Sequence, residues 1–357
     1  MGFDSGTDDD DTATRASLAR HLASVRPDLA DVAIEGFEAP SSTGFSSETR
    51  LFDLVANRAG APVRERLVLR SAPRGFQVFP SYDIGRQARL LRALAPTPVP
   101  VPRVTLVELD PAAIGAPFYL MERVEGQVPS DNPPMHAEGF LTALSPAERR
   151  ALHDSGFDGM CAVHAVDLAA LDVDLPGRGA ASPLDAQLDE YDAYFAWGLE
   201  RARYPLIAEA LGYLRQRRPP RDEPVALCWG DSRLANQIFD GTRCAALLDW
   251  EMARAGDPVQ DLAWWIASDR CFTEGLEIER LAGFPSRAEM ITRWQERTGY
   301  TAEHFAYYEV LALTRFAIQL ARVVLHMKEL EVIDRDNDFD RDNFASIILT
   351  RALVAAP

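Results

Sequence analysis

The stretch LCWGDSRLANQIFDGTRCAALLDWE, residues 227–251, poses the first question of this chain. Read for packing, it is a set of short apolar segments joined by polar loops, built for extended strands in a core. Read for chemistry, it is unusual, because Asp231, Asn236 and Asp249 punctuate those segments and each segment ends at or near a carboxylate. Asp231 and Asn236 stand five residues apart across a loop, and Asp249 closes the next apolar run. A carboxylate, an amide and a second carboxylate offer oxygen ligands of the kind Mg²⁺ takes. That ion keeps several waters and uses only one or two protein carboxylates beside substrate phosphates. The remaining carboxylate is then available to orient a hydroxyl and accept its proton. By itself the Asp-x4-Asn spacing is a weak signal, since loop Asp and Asn most often form turns.

Composition frames this reading. A chain of 357 residues with 47% hydrophobic and 25% charged residues is long enough for two compact units with cores of their own. No apolar run reaches the ~18 residues of a membrane span. The N-terminal MGFDSGTDDDDTATRAS is acidic and polar, unlike a signal or transit peptide, so a cytoplasmic location is expected. The formal net charge of −17 argues against non-specific nucleic-acid binding. It also means that an anionic ligand must be held by local groups or a metal ion. Cys161, Cys228, Cys244 and Cys271 show no metal-ligand spacing, and are expected as free, buried thiols.

Residues 1–13 read as a disordered acidic tail with Asp8–Asp11 solvated, followed by a helix from about Ala13 to Val25. Strands are expected at 48–58 and 64–72, with Gly60 and Pro62 marking the turn between them, and again at 117–126. A helix is expected over 81–95 with Ser81 as its N-cap, then an extended PTPVPVPRV segment. From about residue 145 the pattern turns helical: SPAE (145–148) is a capping box, SPLD (182–185) opens a second helix, and an amphipathic helix covers roughly 303–330. The plan is a strand-rich N-terminal part, 14–124, and a larger helical part, 125–357.

Two features of the N-terminal part bear on the acid-rich stretch. STGFSSET (42–49) is rich in Gly and Ser and precedes a strand, so its backbone N–H groups suit phosphates, although a plain hairpin turn has the same composition. In RLVLR, alternation puts Val68 and Arg70 on one face and Leu67 and Leu69 on the other, which aims a fixed cation beside an apolar residue.

In this order the residues resemble the aminoglycoside phosphotransferase family, small-molecule relatives of the protein kinases. The branch they most resemble is akin to the kinase-like domain fused to some acyl-CoA dehydrogenases. The resemblance is carried by GFSSET, LVLR, FYLMERVEG (118–126), CAVHAVDL (161–168), WGDSRLAN (229–236) and LLDWEMARAGDPVQDLAWW (247–265). It implies an α+β, bilobal protein-kinase-like fold, with a small antiparallel-sheet N-lobe, a larger mainly helical C-lobe and ATP in the cleft between them. Carried over by position, Asp231 matches the catalytic aspartate that receives the acceptor's proton, and Asn236 and Asp249 match the Mg²⁺ ligands. Arg70 takes the place of the lysine on the α/β-phosphates. Met121 matches the gatekeeper, so that the C=O of Glu122 and the N–H of Val124 are expected to meet adenine. Gly44, Phe45, Ser46 and Ser47 match the phosphate-covering loop. Asp257 and Asp261 are expected to cap a helix and tie down the catalytic loop, and His164 to be a satisfied core histidine.

Three departures stand out. Trp229 occupies a position where family members commonly have His, and offers one N–H donor and no acceptor. Arg70 replaces Lys, a change of geometry more than of charge. Gln87 falls where a glutamate is expected to pair that cation, leaving Glu48 as a substitute partner. The expected activity is ATP- and Mg²⁺-dependent transfer of the γ-phosphate to a hydroxyl of a small molecule. The acceptor could be aminoglycoside-like, which the acidic DRDNDFDRDN (334–343) would suit, or a hydroxyacyl or other metabolite, with Phe305, Tyr307, Tyr308 and Phe316 lining a pocket. The alternative is a nucleotide-binding pseudokinase acting as a sensor or interaction module. Oligomeric state is not legible.

Overall fold

The computed structural model describes residues 7–40, 47–220 and 224–356, with side chains from Asp11 onward. The chain divides into two units. The first runs to Gln77 and takes up Ser81–Arg92 and Pro102–Val124; the second holds Val78–Pro80, Ala93–Val101 and everything from Glu125. The sequence reading had placed 78–80 and 93–101 in the N-terminal part.

In the first unit, helix α1 (Thr7–Val25) precedes strands β1 (Leu29–Glu38), β2 (Glu48–Arg58) and β3 (Ala61–Ser71), helix α2 (Ile84–Leu94), and strands β4 (Val104–Glu108) and β5 (Phe118–Glu122). The strands form one antiparallel sheet in the order β1-β2-β3-β5-β4. Alternation in β2 and β3 works as expected: Phe52, Leu54, Leu67 and Leu69 turn to one face, where Leu18 and Leu22 of α1 pack on them.

Strand β1 carries no clean period of two because its register against β2 shifts twice, between Ala30 and Ala33 and between Glu35 and Glu38. That irregularity is why its sequence does not read as a strand. Helix α1 begins at Thr7, so the expected disordered tail is corrected over residues 7–13; residues 1–6 lie outside the described residues. Asp11 is not solvated but forms an ion pair with Arg50 of β2 at 2.9 Å, and Thr14 is buried and accepts a hydrogen bond from Arg74.

Helix α2 also starts later than expected. Its cap is Asp83, whose Oδ1 accepts the Arg86 amide at 2.7 Å, and not Ser81. Gln87 on this helix is 3% exposed, and its Oε1 has no hydrogen-bond partner among the described residues. The suggested substitute acid, Glu48, is committed elsewhere: it receives Arg74 at 2.9 Å.

The second unit contains α3 (Phe140–Ala143), α4 (Pro146–His164), α5 (Pro183–Gly198), α6 (Pro205–Gln216), β6 (Ala226–Cys228), β7 (Gln237–Asp240), β8 (Arg243–Leu247), β9 (Arg254–Gly256), α7 (Val259–Phe272), α8 (Arg287–Thr298), α9 (Phe305–Glu329) and α10 (Phe344–Ala355). The Ser145 capping box and the Ser182 cap form as expected. Helix α9 is long and apolar enough to cross a membrane. Here it packs against α6, α7 and α10, and Val310, Leu311, Leu313, Ile318 and Ala321 are at most 1% exposed. Phe305, Tyr307 and Tyr308 are likewise core residues; Phe316 alone of the four aromatic candidates stays half-buried. All four cysteines are free and buried, and burial pushes the thiols of Cys161 and Cys244 up to about 12.

The cap assignment has a direct test. Asp83→Ala should cost about 1 kcal/mol of stability in urea denaturation, whereas Ser81→Ala should leave the curve where it is.

Candidate functional site

The acid-rich stretch folds as two short antiparallel pairs, β6 with β9 and β7 with β8, which present the loops between them. The loop after β6 is shaped by Gly230. Its φ is +94°, and any Cβ there would collide with the Met252 carbonyl oxygen. Trp229 beside it is fully buried. Its indole Nε1–H donates to the Leu248 carbonyl at 2.7 Å, and its ring packs at 36° to Trp250. The single donor that distinguishes Trp from His is therefore used, and it ties this loop to the segment that leads into Asp249.

Beneath the loop lies Asp261 from the first turn of α7, fully buried. Its Oδ2 accepts the Trp229 amide at 2.6 Å and its Oδ1 the Gly230 amide at 2.9 Å, while Ser232 Oγ–H donates to its backbone carbonyl at 2.7 Å. Asp257 accepts the Val259 amide at the start of α7. Both aspartates thus do the structural work expected of them. His164 is the satisfied core histidine: its Nδ1 lies 3.0 Å from Trp294 Nε1, and its Nε2 3.1 Å from Asp261 Oδ2. An indole nitrogen only donates, so Nδ1 is the acceptor and Nε2 carries the proton toward Asp261.

Asp231 and Asn236 are 9% and 8% exposed. Asn236 Nδ2–H donates to the Asp231 carbonyl at 3.0 Å. A carbonyl can only accept, so the amide's orientation is determined and Oδ1 is the end left for a cation. The Leu248 amide, one residue before Asp249, donates to the Asn236 carbonyl at 2.8 Å. Asp249 adopts φ 59°, ψ 66°, a left-handed conformation that costs a non-glycine residue roughly 1–3 kcal/mol and clusters at functional sites. An amide oxygen with no hydrogen-bond partner among the described residues and a carboxylate on the residue after Leu248 are donors of the type Mg²⁺ takes.

Two side chains that sequence reasoning missed converge on Asp231. Arg233 Nε–H donates to Asp231 Oδ1 at 2.8 Å and forms an ion pair with Asp131. Burial alone would lower the Arg233 guanidinium, but the two carboxylates outweigh it and hold it above its ordinary value. Trp264 Nε1–H, from α7, donates to the same Oδ1 at 2.7 Å. Arg233 had a signal, standing two residues after Asp231; nothing in the sequence linked it to Asp131 or Trp264 to either.

The other predicted residues belong to the first unit. Arg70 sits half-buried on β3, in register with Thr49 on one side and Tyr119 on the other. Met121 is 8% exposed on β5 and pairs with Val68. Glu122 takes an ion pair from Arg103, and its amide donates to the Arg103 carbonyl at 2.9 Å. Val124 lies just past β5, and its N–H donates to no described residue. Ser47 is half-buried at the entry to β2; Gly44, Phe45 and Ser46 lie outside the described residues.

Against known families, residues 42–304 match the model of the phosphotransferase enzyme family, the APH family. The chain belongs to this family. Its relatives include acyl-CoA dehydrogenase family member 11 of Pongo abelii, 27% identical over 79% of this chain and 36% of that protein. Family member 10 of Mus musculus is 31% identical over 69% of this chain and 22% of its own length. The chain thus spans about a third or less of these relatives. Among solved structures, a candidate aminoglycoside phosphotransferase of Ralstonia eutropha superimposes with a TM-score of 0.68 at 22% identity, covering 95% of this chain and 98% of that one. The aminoglycoside phosphotransferase APH(4)-Ia, solved in ternary complex with AMP-PNP and hygromycin B, gives 0.57 at 17%, with coverage of 95% and 98%. These likenesses establish the kinase-like APH fold expected from the sequence.

The loop anchor is the part of the site most open to test. Asp261→Ala should cost at least about 3 kcal/mol, since several buried donors at roughly 1–3 kcal/mol each would lose their acceptor. Denaturant unfolding reads this directly.

Proposed function

We propose that the chain is an ATP- and Mg²⁺-dependent phosphotransferase that moves the γ-phosphate of ATP to a hydroxyl of a small molecule. The observation that carries this reading is Asn236, tied to the carbonyl of a nearly buried Asp231 with its own amide oxygen unpaired among the described residues, and bonded through its carbonyl to the residue before a strained Asp249. In the proposed reaction Asp231 takes the proton of the acceptor hydroxyl as the new O–P bond forms. The bond between the γ-phosphorus and the β–γ bridging oxygen breaks, and ADP leaves with that oxygen. Asn236 and Asp249 would hold Mg²⁺, which would supply neutralisation of phosphate charge when bound. By the family's pattern, Arg70 would contact phosphate, and the Glu122 C=O and Val124 N–H would contact the adenine edge. Positioning and charge stabilisation account for the rate in a reaction of this type.

For the acceptor, support comes from half-buried aromatic rings packed in series with Trp264. Phe316 lies 5.8 Å from it, Phe272 and Phe344 each 5.9 Å from Phe316, and Phe339 6.0 Å from Phe344. Such a surface favours an acceptor with an apolar body, such as a hydroxyacyl compound, over a highly hydroxylated aminoglycoside. The sensor reading loses one of its two supports, because Trp229 is fully accommodated; Gln87, buried with an unsatisfied oxygen, remains the other.

The test is a thermal-unfolding midpoint with and without saturating Mg-ATP. Binding at a hundredfold excess over Kd adds about 2.7 kcal/mol. A clear rise in the wild type is expected, lost in Asp249→Asn, together with slow acceptor-free ATP turnover that Asp231→Asn abolishes. A wild type that shows neither would sink the proposal. Asp249→Gly separates site from scaffold: relief of the left-handed strain should leave its ligand-free midpoint no lower than wild type, while the response to Mg-ATP disappears.

A further inference from the structure

Asp231 is held by one oxygen only. Oδ1 receives both Trp264 Nε1–H at 2.7 Å and Arg233 Nε–H at 2.8 Å, whereas Oδ2 has no hydrogen-bond partner among the described residues. Both donors are themselves restrained. Asp131 grips the far end of Arg233. Trp264 is 3% exposed, and the Arg315 guanidinium lies over its ring at 4.6 Å.

Arg315 is the unusual member of this set. It is 1% exposed and forms no ion pair with a described residue, and its Nη1 has no hydrogen-bond partner there. Its compensation comes from the Gly230 carbonyl, which accepts from Nη2 at 2.9 Å, the Tyr191 hydroxyl at 2.9 Å from Nε, and the faces of Tyr191 and Trp264. A buried cation without a carboxylate is costly. What this one does is clamp the indole and the backbone just before Asp231 to each other.

Resting on the phosphotransferase reading above, we infer that Trp264 is a positioning residue: its indole N–H, locked by Arg315, holds one oxygen of Asp231 and so orients the carboxylate with its other oxygen toward the acceptor hydroxyl. Two donors converging on one oxygen fix the plane of the carboxylate; a half-turn only exchanges two equivalent oxygens, so one oxygen always faces the donors and the other is left unpaired. Oδ2 is thereby presented to the acceptor and takes its proton. Trp264 itself touches no reacting atom and acts only through Asp231.

The test is a mutant cycle on Mg-ATP turnover, with an independent spectroscopic readout. Trp264→Phe keeps a ring in place and removes the N–H; kcat should fall about 10- to 100-fold, with KM for ATP within about twofold. Asp231→Asn should fall much further, and the Trp264→Phe/Asp231→Asn double variant should be no slower than Asp231→Asn alone. In ¹H–¹⁵N spectra, the Trp264 indole signal should move upfield in Asp231→Asn, a measurement made with Trp264 intact. Unchanged kcat in Trp264→Phe, a full additional loss in the double variant, or an indole signal blind to Asp231→Asn would each overturn the inference. A wild type without Mg-ATP turnover overturns the phosphotransferase reading, and the catalytic role of Trp264 with it. The two failures are distinguishable, because in that case the indole signal still responds to Asp231.

Discussion

Two consecutive backbone amides, those of Trp229 and Gly230, point at one buried carboxylate, and the geometry of the second unit's site depends on that convergence. Amides in a loop between short strands have no ladder to join, so unless something accepts them the segment must stay wet and mobile. Asp261 supplies the acceptor from the first turn of a helix, where a negative charge is also favoured by the helix dipole. Its second role follows from the first. By holding the amides on one side, it leaves the Gly230 carbonyl to Arg315 and the Asp231 carbonyl to Asn236. These backbone groups thus find their partners within the protein, and among the described residues Asp231 Oδ2 and Asn236 Oδ1 are left unpaired.

Seen this way, the substitution of Trp for His at 229 is less drastic than its chemistry suggests. What the loop requires at that position is a large buried ring with one donor aimed at the strand leading to Asp249. The indole delivers it, with the bond to Leu248 at 2.7 Å. Gln87 is a different matter. A buried amide with an unpaired oxygen restores neither the charge nor the hydrogen bond of a glutamate, and Glu48, the acid within reach in sequence, is already used by Arg74. The two departures therefore differ in kind: one is absorbed by the scaffold, the other leaves its own amide oxygen unpaired on α2.

The sequence carried the fold well where a local rule sufficed. Ser145 and Ser182 cap their helices because a cap needs only a side chain and an amide three residues on. Strand β2 occupies 48–58 as read because its alternation is unbroken. Strand β1 was missed because its bulges break the period, and the cap of α2 was misassigned because Ser81 and Asp83 are both good caps by type and only the start of the helix distinguishes them. In the site, Asp231, Asn236 and Asp249 were legible as a motif, and Asp261 as a tie. Arg315 and Trp264 were not. They approach from helices α9 and α7, and no spacing in a linear chain reports that a cation stacks on an indole that donates to a carboxylate.

That limit has a physical content. Residues identifiable from a motif are those whose roles are set by the loop they sit in; residues that orient them come from the packed helices and look like core. Arg315 shows the difference. On α9 it is surrounded in sequence by Leu311, Leu313 and Ile318, all fully buried, and its type alone argues for an error of patterning. Only the joint presence of the Gly230 carbonyl, the Tyr191 hydroxyl and two aromatic faces makes a buried guanidinium tolerable there. An apolar residue of similar volume would pack at least as well. The retained charge is therefore better explained by what it holds in place than by the stability it adds.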